Sequence, residues 1–150
     1  MAIPAFVAAV MWPTAKKAAA QLILLVATNK ELQKRFGALM GQLADIKKAR
    51  TPEARISRAM ATVREQGQNI LDQEARTGDS LASVQAASWM QRADQVERAL
   101  KIVEHQPKAA RKTQLPRVEK MADALLGEML TSLMDDVGAE AIEVQEIPTD

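Results

Sequence analysis

Residues 15–46 read AKKAAAQLILLVATNKELQKRFGALMGQLADI, and the spacing of side chains in this stretch decides the fold class. Ala15, Ala18, Leu22, Leu25, Asn29, Leu32, Phe36, Leu39, Leu43 and Ile46 recur at alternating steps of three and four. An α-helix completes a turn about every 3.6 residues, so such steps stay on one face, whereas a strand would alternate at every second residue. Asn29 is the one polar position on the stripe. Two readings of it stay open. In a continuous helix, a buried Asn on a heptad seam fixes register and strand number in a coiled coil. Alternatively, Thr28 followed by Glu31 forms a capping box and a new helix starts near Asn29. Both readings place Leu32 to Ile46 on one buried face. Leu22, Leu25, Asn29, Leu32, Phe36 and Leu39 make up the candidate surface for self-association or for a partner helix. Gly37 and Gly41, four apart, form a small-residue pair of the kind that admits a close helix neighbour.

The same period continues toward the C-terminus. Thr51-Pro52-Glu53 reads as a helix start: a capping hydroxyl, Pro at the first helical position, then an acid on the positive end of the dipole. Ile56, Met60, Val63, Gly67 and Ile70 carry the stripe forward, with Leu71 beside it. Thr77-Gly78-Asp79-Ser80 is a turn, and Asp79 or Ser80 is expected to cap the next helix. In that helix Ala82, Ala86, Trp89, Ala93, Val96, Leu100 and Val103 share a face, a large knob among small residues, and Pro107 is expected to close it. Residues 106–117, QPKAARKTQLPR, read as a basic connection bounded by two prolines. Pro116 then opens a last helix whose wide, Met-rich arc holds Val118, Met121, Ala122, Leu125, Leu126, Met129, Leu130, Leu133 and Met134. Gly138 is expected to end it, and AEAIEVQEIPTD follows as an acidic tail.

Toward the N-terminus the chain is greasier. Ala2 to Trp12 is apolar apart from the break at Pro4, and Ala18 to Ala27 is interrupted only by Gln21. Each run of about ten residues makes about 15 Å of helix against a hydrocarbon thickness of about 30 Å, so neither crosses a bilayer alone. Trp12 with Lys16 and Lys17 would suit a lipid headgroup boundary. A secretory signal fits less well, because no positive side chain precedes the apolar run.

Composition agrees with a helical core. The 150 residues are 47% hydrophobic but only 3% aromatic, with no Tyr, so Ala, Leu, Ile, Val and eight Met must fill the interior. There is no Cys, which excludes disulfides, thiolate catalysis and thiolate zinc sites. The net charge of +1 conceals a split: all 20 Lys and Arg lie in residues 1–120, which carry +9, while residues 121–150 carry −8. Lys108, Arg111, Lys112, Arg117 and Lys120 are the leading anion-binding candidates. Lys47, Lys48, Arg50, Arg55 and Arg58 form a second basic cluster across the Thr51-Pro52 turn.

Chemistry is poorly supported. His105 is the only histidine and falls at a helix C-terminus, where it suits the dipole. No Glu-x-x-His pair, His-Glu-x-x-His motif, calcium loop or glycine-rich phosphate loop occurs. No catalytic residue, metal ligand or cofactor is nominated.

The expectation is therefore an all-α protein: an antiparallel helical bundle or hairpin assembly of about four amphipathic helices. A hydrophobic N-terminal helical segment (1–28) precedes the bundle (29–137), and a short acidic tail (138–150) follows it. The expected role is that of a non-catalytic interaction or scaffold protein, cytoplasmic, that self-associates as a homo-oligomer or binds a protein partner. Two alternatives stand beside it. One is a peripheral membrane protein anchored by residues 2–28. The other is a nucleic-acid-binding accessory protein that uses the basic body, with the acidic tail competing for the same patch.

Overall fold

The computed structural model describes the backbone of residues 12–78 and 80–146, and their side chains apart from Thr77, Ser80 and 136–146. Five helices follow one another: α1 (Pro13–Ala27), α2 (Lys30–Lys48), α3 (Pro52–Thr77), α4 (Ser80–Glu104) and α5 (Lys108–Glu146). No strand occurs among the described residues. The fold class is the one the periodicity implies, with one more helix in the bundle than the four expected.

The extra member comes from the N-terminal segment. Ala15, Ala18, Ala19, Leu22 and Val26 of α1 are buried in the same core as Phe36, Leu39, Leu43 and Ile46 of α2. Residues 12–27 are thus part of the bundle, while the apolar run over 2–11 lies outside the described residues. The continuous helix through Asn29 does not form. Helix α1 ends at Ala27, and the Asn29 side chain, exposed and extended in backbone, accepts the N–H of Glu31 at 2.9 Å as the cap of α2. Thr28 belongs to the preceding helix, its hydroxyl donating to the Leu25 carbonyl at 2.9 Å. A break lets α1 and α2 fold back and bury their stripes on each other, which one straight rod cannot do without a second chain.

Local signals set the other boundaries. Thr51 accepts the Ala54 N–H at 3.1 Å, with Pro52 at the first helical position. Gly78 ends α3 in the left-handed region at φ 75°, a backbone state that favours glycine. The last helix departs from expectation at both ends. It begins at Lys108, not Pro116: the Pro107 carbonyl accepts the Arg111 N–H at 3.0 Å, so Pro107 stands where its missing N–H is not needed. Pro116 lies inside α5, where it removes one donor, and Leu115 packs against the core to hold the turn. Gly138 does not stop the helix, which runs on to Glu146. A helical Gly costs only about 1 kcal/mol relative to Ala, and Ala139, Glu140 and Ala141 favour continuation.

Helix α5 packs against α1, α3 and α4; α3 packs against α2, α4 and α5; and α1 touches α2. A ring of α1, α2, α3 and α5 therefore forms, with α4 laid across α3 and α5. Cross-helix pairs fix direction. Gln42 donates to Glu65, and Arg58 donates to the Asp45 carbonyl at 2.6 Å, so α2 and α3 are antiparallel. Arg64 meets Asp94 and Glu97 while Gly67 faces Ala86 and Met90, so α4 runs antiparallel to α3, and Arg92 of α4 meets Glu128 of α5. Trp12 and Arg55 both reach Glu119, so α1 and α3 start at the same level of α5. Helices α1, α3 and α5 thus rise from one end of the bundle, and α2 and α4 return to it.

Candidate functional site

The end of the bundle from which α1, α3 and α5 rise gathers the two basic clusters. Lys47, Lys48 and Arg50 arrive at the end of α2, and Arg55 and Arg58 lie in the first turns of α3. Lys101 closes α4, and Lys108, Arg111 and Lys112 open α5, with Arg117 and Lys120 following within the next turns. Lys108, Arg111, Lys112, Arg117 and Lys120 are all exposed. Lys108, Arg111, Lys112 and Leu115 line a shallow cleft of about 220 Å³ together with Glu53 of α3, which brings the starts of α3 and α5 together.

Ion pairing distinguishes the mid-bundle Arg64 and Arg92 from the cations that open α5. Midway along the bundle the arginines are matched: Arg64 bridges Asp94 at 2.7 Å and also Glu97, and Arg92 meets Glu128. The hydrogen bond to Glu97, with Asp94 adding to it, holds the Arg64 pKa above its ordinary value. At the end, Arg55 reaches Glu119 at 3.7 Å and Arg58 is occupied by the Asp45 carbonyl. Lys108, Arg111, Lys112, Arg117 and Lys120 make no ion pair among the described residues.

The helix dipole sharpens the contrast. Helices α2 and α3 carry Glu31 and Glu53 in their first turns and Lys47, Lys48 and Arg76 in their last, which suits a macrodipole positive at its N-terminus. Helix α5 inverts the pattern, with no acid in its first turn and no base in its last. Its three opening cations add to the partial positive charge of unpaired N–H groups there, an arrangement that disfavours the helix and favours an anion.

A tertiary cap beside this end escaped the sequence reading. Helix α1 has no acid in its first turn and no side-chain cap of its own. The cap comes from α5: Asp123, only 8% exposed, accepts the Ala15 N–H at 2.7 Å and the Thr14 N–H at 3.2 Å. One turn earlier, Glu119 accepts the Trp12 indole N–H at 2.9 Å. One turn later, Gly127 lets the backbones close, since a Cβ there would lie 2.6 Å from the Thr14 methyl and 3.2 Å from the Thr14 carbonyl carbon. Glu119, Asp123 and Gly127 share one face of α5. The sequence signal was an acid set inside an apolar arc, between Ala122 and Leu125, together with a first helix lacking its own cap.

The other nominated residues disperse. Leu22, Phe36 and Leu39 are in the chain's own core, Leu32 packs partly against it, Leu25 is half-buried, and Asn29 is an exposed cap. A seam built on them is not open to a second chain while the bundle stays closed. Gly37 and Gly41 have no neighbour within 4 Å of a Cβ position among the described residues. Met129 is buried, which leaves Met121, 43% exposed, as the outward part of the Met-rich arc. His105 Nδ1 lies 2.7 Å from the Lys101 carbonyl in the turn that ends α4, a local helix-end contact. A groove of about 450 Å³ between α2 and α3 is lined by Gln42, Asp45, Lys48, Arg58, Ala61 and Thr62, whose hydroxyl donates to the Arg58 carbonyl at 3.0 Å. Among the described residues, no group of three or more side chains is placed to hold a metal ion, and no helix is long and apolar enough to cross a membrane.

No protein-family model, no curated protein and no solved structure matches this chain.

Proposed function

We propose that this chain is a non-catalytic helical interaction protein that docks through the cationic end of its bundle onto an anionic partner. The observation that carries this reading is the placement of unpaired cations. Helix direction brings Lys108, Arg111 and Lys112 to the same end as the start of α3, where they line one cleft with Glu53 and make no ion pair among the described residues, while Arg64 and Arg92 in mid-bundle are matched. Desolvating and pairing such groups is favourable only when a partner supplies the negative charge, and the affinity then falls with salt. The seam residues offer a second chain little, because three of the six lie in the intramolecular core.

The test separates position from net charge. Retention on immobilised heparin, a generic polyanion, is compared for the parent, for K108Q/R111Q/K112Q at the docking end and for K30Q/K34Q/R76Q at the opposite end. The first variant is expected to elute at markedly lower salt and the second close to the parent. Equal losses would show that only overall charge matters and would reject a docking end.

A further inference from the structure

We propose that the outer face of α4 is a self-association surface, on which a second copy of this chain seats its own α4 antiparallel. This contact is additional to the docking at the cationic end and does not rest on it.

Among the described residues α4 packs against α3 and α5 only, which leaves its outer side uncovered. Trp89, Val96 and Leu100 belong to the stripe it buries. A second stripe runs along the outer side at steps of three and four. It starts at Leu81 and Val84, passes Ser88, Gln91 and Gln95, and ends at Arg98 and Ile102, every one of them exposed. The outward face of a surface helix ordinarily carries charge, yet this stripe has none before Arg98. Leu81 is 81% exposed, Val84 68% and Ile102 61%, and they are three of the five large hydrophobic side chains exposed among the described residues. Uncovered apolar residues at heptad spacing are the pattern of a helix that meets another helix.

The order of the stripe identifies the occupant. Turned end over end about Gln91, a second α4 sets Leu81 against the partner's Ile102 and Val84 against the aliphatic stem of the partner's Arg98. Ser88 then faces the partner's Gln95, and Gln91 faces the partner's Gln91 on the two-fold axis. Apolar ends meet apolar mates and the polar centre meets itself, with the same strip used by both copies, as a two-fold interface requires. Charge settles the direction. Antiparallel, the two Arg98 positions stand about 20 Å apart along the helices, more than twice the screening length of about 8 Å. A parallel pair would set Arg98 on the partner's Arg98 and bring the two cationic ends together. The strip is about 32 Å long and one helix face wide, which covers less than the roughly 800 Å² per partner of a stable complex, so the dimer is weak and forms as concentration rises.

Sedimentation equilibrium of the full chain from about 10 µM to about 1 mM, the range in which a weak contact fills, tests self-association. The mass is expected to rise from monomer toward dimer, and a monomer throughout overturns the proposal. Charge exchange tests the register. V84R sets like charges together twice per dimer and is expected to weaken association about tenfold or more. V84R/R98E restores an opposite pair at both places and is expected to return association to within about threefold of the parent. Positions 84 and 98 lie about 20 Å apart along one helix, so this rescue works only between chains. Association indifferent to V84R assigns the contact to another surface, and failure of the rescue rejects the antiparallel register. The chain has no Cys, so introduced cysteines report proximity without background. Under mild oxidation Q91C is expected to form a disulfide dimer, L81C alone to stay monomeric, and L81C mixed with I102C to form the mixed dimer. Cross-linking of L81C to itself as fast as that of Q91C, or no cross-link in any variant, overturns the pairing. Circular dichroism of each variant shows whether the helices persist.

Discussion

Asp123 does for α1 what the first turn of α1 cannot do for itself. A helix start leaves four N–H groups without intrahelical partners, and here two of them, at Thr14 and Ala15, are answered by one carboxylate from α5. Because the acceptor is charged and nearly buried, its removal strands donors that water reaches poorly. Asp123→Ala is expected to cost about 2–3 kcal/mol, and Asp123→Asn, which keeps one oxygen for Ala15, about half of that. Urea unfolding followed by tryptophan fluorescence measures both. A loss no larger than that from Asp135→Ala, at an exposed position on the same helix, would show that the cap contributes nothing. The contact also explains why α1 seats where it does. Gly127 permits close approach at Thr14, and Trp12 closes over Glu119, so three positions on α5 define the level at which the chain enters the bundle.

At the scale of the element, α5 is the unusual member. It is 39 residues long, takes a proline inside its early turns and carries its charges opposed to its own dipole. Cations at a helix N-terminus are unfavourable by about 0.3–1 kcal/mol each where exposed, so the first turns of α5 are less stable than their composition alone would make them. Neutralising them should therefore help the fold while harming the docking. K108Q/R111Q/K112Q is expected to raise unfolding stability by about 0.5–1 kcal/mol at low ionic strength, with the gain shrinking in high salt. Thermal melts at two salt concentrations check it. A stability loss, or a gain independent of salt, would show that these residues support the fold rather than burden it. Helices α2 and α3 obey the dipole rule, whereas α1, like α5, has no acid in its first turn and no base in its last, and takes its cap from Asp123.

Across the whole molecule the charge split becomes a distance. The rise along α5 from Lys112 to Glu146 is about 50 Å, several times the Debye length of about 8 Å at physiological salt. The helix backbone at the acidic end of α5 therefore lies several screening lengths from the cations at its start. Deleting 138–150 is expected to leave heparin retention within about twofold of the parent at physiological salt. A severalfold rise in affinity would mean that the acidic end reaches the basic one, either by folding back or from a neighbouring chain. The same geometry gives the bundle a polarity, with its basic clusters gathered at one end.

The sequence by itself determined that this is a helical protein and which faces of its helices are apolar, because side chains repeating every three to four residues can be buried together only on helices. It also determined the starts of α2 and α3 to within a residue or two, since Asn29, Thr51 and Pro52 act on their own neighbours. Only the tertiary structure decided the rest. Whether Asn29 sat in a continuous helix or capped a new one depended on α1 packing against α2 and α5 within the same chain. Pro116 and Gly138 looked like boundaries, but packing at Leu115 and continued helix propensity beyond 138 outweighed the cost of each. The union of two distant basic clusters, and the capture of Thr14 and Ala15 by Asp123, follow from helix direction and level. Those are set by long-range packing, which no local pattern encodes.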